Sequence, residues 1–333
     1  MVSRVGHGDA SLTTILSRQS AHLRAEIERR TTEMATGLHR DMGAALGGDF
    51  SALAAVEQSL ARLKGHAAVS AETALTVDAV QAALAAISDG ADGLGAEILR
   101  AVGAAAGTGV DAVATAAARA FGTAVAALNT RFSERALFSG VNTGTAPLPD
   151  AGVVLSALET AVAGAATVAE VQAAIDGWFA DPAGYDALYA GGAALAALPI
   201  AAGESTGLPV TALDPAIKDT LRALATAALL DRGLLAGQPE ARAQVMRAAG
   251  DALAAGGEAR AQLTARVGTV QAQVAAARTR NAAETSALEI ARAGIVAADP
   301  YDTATVLEDL QSRLESLYLL TSRVSRLSLT EYL

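Results

Sequence analysis

The sequence predicts a mainly α protein. Its expected form is a long antiparallel helical bundle or coiled coil built from both chain ends, with a small α+β insert in the middle. Three observations lead there. Residues 301–333 contain no glycine or proline, and Leu307, Leu310, Leu314, Leu317, Leu320, Val324 and Leu327 recur every three or four positions, one stripe on a helix. Two internal stretches, Ser51–Ile87 and Gln238–Ala298, also alternate apolar residues in steps of three and four. Between them, residues 150–237 change texture, with short turns and helix-capping signals.

Met1–Ala10 is polar and glycine-containing, and reads as a flexible lead-in. Ser11–Thr36 reads as the first helix, with Leu12, Leu16, Leu23, Ile27 and Met34 as a weaker stripe. These elements make residues 1–42 an N-terminal assembly region. Gly37, Gly43, Gly47 and Gly48 mark a loop or broken helix up to Phe50.

Residues 43–149 read as the N-terminal part of the bundle. Leu53, Val56, Leu60, Leu63, Ala67, Ser70, Ala74, Val77, Gln81 and Leu84 form a heptad seam weakened at Ser70 and Gln81. Asp89–Gly95 reads as a turn or a kink, Ala96–Arg135 as further helix, and Phe138–Pro149 as a boundary.

In the insert, residues 150–237, Thr167 and Glu170 form a capping-box pair. Asp181-Pro182-Ala183-Gly184 is a turn, and Asp214-Pro215 starts a helix. Leu195–Ile200 and Leu208–Ala212 are expected as short strands around a loop. Trp178, Phe179, Tyr185 and Tyr189 are expected to form a small core there.

Residues 238–298 read as the C-terminal part of the bundle. Leu263, Val267, Val270, Val274, Ala277, Asn281, Glu284, Leu288, Ala291 and Ile295 keep the alternation. Asn281 is either a buried seam residue that fixes register or a residue exposed by helix drift. Residues 299–333 are the C-terminal assembly region. Asp302 is placed to cap the helix, Glu308 and Asp309 favour its start, and Arg323 and Arg326 favour its end. A lone helix of this kind is marginal in water, so its stripe requires a partner. The N-terminal stripe is the candidate, and apolar surface left over would be covered by other subunits.

Composition excludes several classes. The 333 residues are 52% hydrophobic but only 3% aromatic, so alanine, leucine and valine carry the core. That suits narrow helical packing better than a deep pocket. A net charge of -10 argues against nucleic acid, which needs clustered Lys and Arg. The mixed charges of His22–Arg40 read as a solvated helix face. Without cysteine there are no disulfides, thiolate metal sites or cysteine nucleophiles. No secretory signal core is expected in Met1–Ser20 and no membrane span anywhere, since Asp111 and Arg119 interrupt the most apolar run.

Catalytic, cofactor and metal sites are not expected. Gly203-Glu204-Ser205-Thr206-Gly207 matches Gly-x-Ser-x-Gly, but His7, His22, His39 and His66 all precede Ser205, against the order that hydrolase fold needs. Asp89-Gly90-Ala91-Asp92-Gly93 resembles a calcium loop but has Arg100 where a bidentate Glu is required.

Short motifs in order along the chain resemble the bacterial flagellin family. Glu33-Met34-Ala35-Thr36-Gly37-Leu38 is similar to the segment ending its first terminal helix. Leu137-Phe138-Ser139-Gly140, with Asn142-Thr143 and Pro147-Leu148, resembles its Phe-Ser-Gly signature before a variable insert. Arg280-Asn281-Ala282-Ala283-Glu284 and Leu314-Glu315-Ser316-Leu317-Tyr318 resemble its C-terminal half. The ending Leu327-Ser328-Leu329-Thr330-Glu331-Tyr332-Leu333 is similar to that of its hook-filament junction branch.

The resemblance implies a structural subunit, not an enzyme, exported without a cleaved signal by the flagellar type III system. It implies self-association into a ring joining hook to filament. It also implies contacts with hook-associated protein 1 and flagellin, and a flagellar export chaperone on the C-terminal helix. Nucleic-acid binding and membrane insertion are not implied. A filament flagellin would share these features, and an intracellular helical coiled-coil adaptor would use the same heptads. The flagellar reading expects frayed terminal helices in the monomer, whereas the adaptor expects ordered ends.

Overall fold

The structure is a computed structural model. It describes the backbone of residues 6–103 and 109–330 and the side chains of residues 14–101 and 109–323. The fold is mainly α, with long helices and two small two-stranded antiparallel sheets among the described residues. The chain forms two compact units, residues 1–63 with 283–333, and residues 64–282. These limits do not follow the predicted cuts after residues 42, 149, 237 and 298.

The first unit is built from the two chain ends. Helix α1, Gly6–Thr36, starts ahead of the expected Ser11. It stops at Gly37, whose φ of 71° suits glycine and whose N–H donates to the Glu33 carbonyl at 2.8 Å. The chain then runs extended beside the far end of the sequence. His39 N donates to Val296 O at 3.0 Å and Ala298 N to Gly37 O at 2.9 Å, around a bridge between Leu38 and Ala297. Asp41 caps the short helix α2, Met42–Ala45, and Gly47 and Gly48 take positive φ in the turn after it. Helix α3, Ser51–Gly103, contributes its first residues here.

Helices α10, Gly257–Val296, and α11, Pro300–Thr330, complete this unit with the end of α10 and all of α11. The cap of α11 is Asp299 rather than Asp302. Its Oδ1 accepts from Tyr301 N at 2.8 Å and Asp302 N at 3.3 Å, with Pro300 in the first turn.

In the second unit α3 corrects the expected turn or kink, because it continues through Asp89–Gly95. Leu84, Ile87, Ala91, Leu94 and Ile98 all face the core, so an unbroken stripe outweighs the roughly 1 kcal/mol cost of each helical glycine. Helix α4, Val110–Leu128, ends well before Arg135. Residues 131–136 are instead a hairpin of β1, Arg131–Phe132, and β2, Arg135–Ala136, with Ser133 and Glu134 at positive φ. By length and composition α4 could cross a membrane, contrary to the sequence reading, because only two charges fall within it. Its apolar face, including Val113, Phe121, Val125 and Leu128, is buried in this core.

The Phe138–Pro149 stretch is packed rather than a mere boundary. Phe138, Ser139 and Leu148 are buried, and Ser139 Oγ donates to Thr145 O at 2.6 Å. Gly140 has φ 58°, and a Cβ there would lie 2.2 Å from the Ala193 carbonyl oxygen. Positive φ and backbone contact together demand glycine.

Helices α5, Ala151–Val162, and α6, Val168–Ala180, follow, with the expected Thr167–Glu170 capping box formed. Amides of Ala166 and Thr167 hold the Glu170 carboxyl below its ordinary pKa. The short α7, Tyr185–Leu188, places Tyr185 in the aromatic core. Its ring stacks on Phe179 at 5.2 Å, and its hydroxyl donates to Ala212 O at 2.9 Å.

The second hairpin pairs β3, Leu198–Ala201, with β4, Glu204–Thr206. This corrects the expected second strand at Leu208–Ala212: Gly203, at φ 71°, turns the chain several residues earlier. Helix α8, Pro215–Asp231, starts at Asp214 as expected and is buried on most faces, with Ile217, Leu221, Leu224 and Leu229 packing beside small alanines. Helix α9, Pro239–Ala255, is separated from α10 at Gly256, so Gln238–Ala298 is two helices rather than one. Arg260 lies against that break, donating to Leu253 O at 3.0 Å and pairing with Asp92.

Asn281 is buried, as one of the two readings expected. The α10 seam is buried from Leu263 to Asn281, whereas Glu284 and Ala291 are exposed.

Candidate assembly surface

The site singled out by the sequence is the pair of terminal helices. The structure joins them as continuous helices over the described residues, in contrast to the frayed ends expected of a flagellar monomer, because each supplies the other with an apolar partner. Helices α1 and α11 pack together, and the cross-contacts Leu38 to Ala297 and Arg24 to Tyr318 make the pairing antiparallel. On α1, Leu16, Leu23 and Ile27 are half-buried. On α11, Leu307, Leu310, Leu314 and Leu317 are half-buried. The expected side chains of Leu12, Val324 and Leu327 lie outside the described residues.

Leu320 departs from the predicted stripe and is 54% exposed. The seam on α11 runs Thr303, Leu307, Leu310, Leu314, Leu317 and Thr321. Strict alternation of four and three steps carries it to Thr321. Two successive three-residue steps, 314 to 317 to 320, rotate Leu320 about 60° per step away from the seam.

The seam is short of full burial along most of its length. Thr303, at 2% exposure, is its one buried position on α11 among the described side chains. Polar contacts reinforce it. Arg24 Nη2 and Nε donate to the Tyr318 hydroxyl at 2.7 and 3.0 Å, with the guanidinium carbon 5.7 Å from the ring centroid. At the C-terminal end of α1, Glu33 is buried, and its carboxylate accepts from Arg30 Nη1 and Arg40 N, both at 3.0 Å. Arg29 pairs with Glu26, the main influence raising its pKa.

The apolar surface left uncovered in this unit includes residues outside the predicted list. Ile15, Met34, Leu38, Ile290, Tyr301 and Leu319 are each about half exposed or more. Only Met34 among them lay on a predicted stripe. A helix stripe predicts the face toward its first partner, whereas these residues are identified by what remains when that partner is in place.

Ser205 lies at an exposed position within β4, not on a strand-to-helix elbow. Asp89–Gly93 is helical, so it is no calcium loop. Among the described residues no three His, Asp or Glu side chains gather as a metal site. A groove of about 210 Å³ in the second unit is lined largely by apolar groups of α3 and the two hairpins, beside the Glu72–Arg135 pair at 3.4 Å.

These features define a helical protein whose two ends pair with each other and retain exposed apolar surface. No protein-family model matches the chain, and no curated protein matches it by sequence. Among solved structures, it is similar to a protein from Vibrio parahaemolyticus provisionally described as flagellar hook-associated. The match has a TM-score of 0.51 and 14% identity, over 72% of this chain and 94% of the other. At that identity the likeness is one of fold.

Proposed function

We propose that this chain is a non-enzymatic structural subunit of the bacterial flagellum that polymerises through its terminal helices. The apolar surface left open beside the α1–α11 pair carries the reading, since the ordered pairing itself is equally expected of a helical adaptor. The pairing joins the chain ends in one unit, leaves the seam half-buried and keeps apolar side chains exposed beside it. Burial still available to these side chains would favour association with further copies. The fold likeness to the Vibrio protein and the order of flagellin-like motifs support the same class.

Within that class we favour the hook-filament junction role, that of hook-associated protein 3. The subunits would form a ring outside the cell, with hook-associated protein 1 on one side and flagellin on the other. A chaperone would cover the C-terminal helix before type III export without a cleaved signal. Leu16, Leu23, Ile27, Leu307, Leu310, Leu314 and Leu317 would hold the terminal pair, while the uncovered apolar residues would meet neighbouring subunits.

Mass spectrometry and immunogold labelling of purified hook-filament material from the source bacterium test this directly. The chain should occur there at the junction, and its deletion should leave hooks without attached filaments. Label along the whole filament would instead indicate a filament flagellin. A chain found only inside the cell, with normal flagella after its deletion, would overturn the proposal.

A further inference from the structure

We propose that Glu33 is the register lock of the terminal helix pair. Among the described residues it is the one buried carboxylate, with 2% of its surface exposed. It lies within the last turn of α1, immediately before the chain reverses at Gly37. One carboxylate oxygen accepts the Arg40 amide at 3.0 Å, seven residues ahead, and the other accepts Arg30 Nη1 at 3.0 Å. The side chain therefore ties the helix to the chain that has just left it.

The tied segment also pairs with the junction of α10 and α11. His39 N donates to Val296 O at 3.0 Å, and Ala298 N donates to Gly37 O at 2.9 Å. Asp299, the next residue, caps α11. A continuous set of bonds thus runs from Glu33 through Arg40 and the Leu38–Ala297 bridge to the first turn of α11. It fixes where both helices begin their common seam.

Such a lock answers a specific weakness. The seam is half-buried and carries several similar leucines, so apolar packing alone discriminates poorly between registers displaced by one turn, about 5.4 Å. Both partners of Glu33 lie on its own stretch of chain, so it acts on register indirectly. By holding the Arg40 amide it fixes the Gly37–His39 segment, whose main chain bonds Val296 and Ala298 at one position only. Glu33 is thus a positioning residue for the helix pair, distinct from the apolar groups that supply its burial.

The full chain offers a clean test because it contains no cysteine. Spin labels at Ala21→Cys and Glu315→Cys, both exposed positions on the paired helices, report their separation. The Glu33 background should give one narrow distance. Glu33→Ala should broaden it or add a population shifted by about one turn, and should increase exchange at the Arg40 and Ala298 amides at least tenfold. Glu33→Gln retains one carbonyl oxygen for the Arg40 amide and should restore most of the narrow distribution. An unchanged distribution and unchanged amide exchange in Glu33→Ala would overturn the lock. Equal disruption by Ala and Gln would also overturn it, since the effect would then not follow the Arg40 bond. If Glu33→Ala melts α1 altogether, recovery of both the helix and the narrow distance in Glu33→Gln remains the required result.

Discussion

Asn281 Nδ2 donates to the Ile200 carbonyl at 2.8 Å, linking the seam of α10 to strand β3. The bond is buried and spans 81 positions in sequence. It gives the polar seam residue a structural role in placing the β3–β4 hairpin. Asn281→Ala should cost about 1–3 kcal/mol, because it leaves the carbonyl without this donor and removes packing. Chemical denaturation should show a lower midpoint, and amide exchange should rise first in the β3–β4 hairpin. An unchanged midpoint and hairpin protection would refute that role.

Gly140→Ala should destabilise the second unit by more than about 2 kcal/mol. Left-handed backbone costs an alanine roughly 1–2 kcal/mol, and its Cβ would meet the Ala193 and Gly192 carbonyl oxygens at 2.2 and 2.4 Å. Gly203→Ala is the control. It shares positive φ but has open space around the new Cβ, so it should cost distinctly less in the same unfolding experiment.

Leu314→Ser with Leu317→Ser should weaken the terminal pair. Both leucines are half-buried on α11. Losing part of their apolar burial and adding hydroxyls should cost about 2–4 kcal/mol together, within the usual range for removing partly buried side chains. Exchange should accelerate across α1 and α11 while amides of α8 remain protected. If the flagellar reading holds, the variant should also fail to incorporate at the hook tip.

Alkaline pH should destabilise the second unit partly through Tyr185. Burial is the main cause raising its phenol pKa well above the ordinary 10.0. Above that ordinary value the unfolded chain releases the proton while the folded chain retains it. The unfolded state then binds fewer protons, so stability falls as pH rises until the folded phenol also titrates. Tyr185→Phe should lose about 1 kcal/mol at neutral pH with its bond to Ala212, yet show a shallower decline above pH 10. Equilibrium unfolding of both proteins across that range gives the comparison.

The sequence by itself determined the helical class, the partnership of the chain ends and many local signals. Leu307, Leu310, Leu314 and Leu317 carry their spacing in the chain, because an α-helix repeats every 3.6 residues whatever surrounds it. The Thr167–Glu170 capping box and the Asp214–Pro215 start are equally local. Tertiary packing decided what local preference left open. Glycines in Asp89–Gly95 suggested a break, but burial of Ala91, Leu94 and Ile98 keeps α3 continuous. Asn281 had two readings until Ile200 arrived beside it. Leu320 looked equivalent to its neighbours, yet pairing with α1 left it outside the seam. Glu33 became a buried tie only when the chain folded back to bring Arg40 within reach. Periodicity is encoded along one helix, whereas burial and hydrogen-bond satisfaction depend on which distant segments meet it.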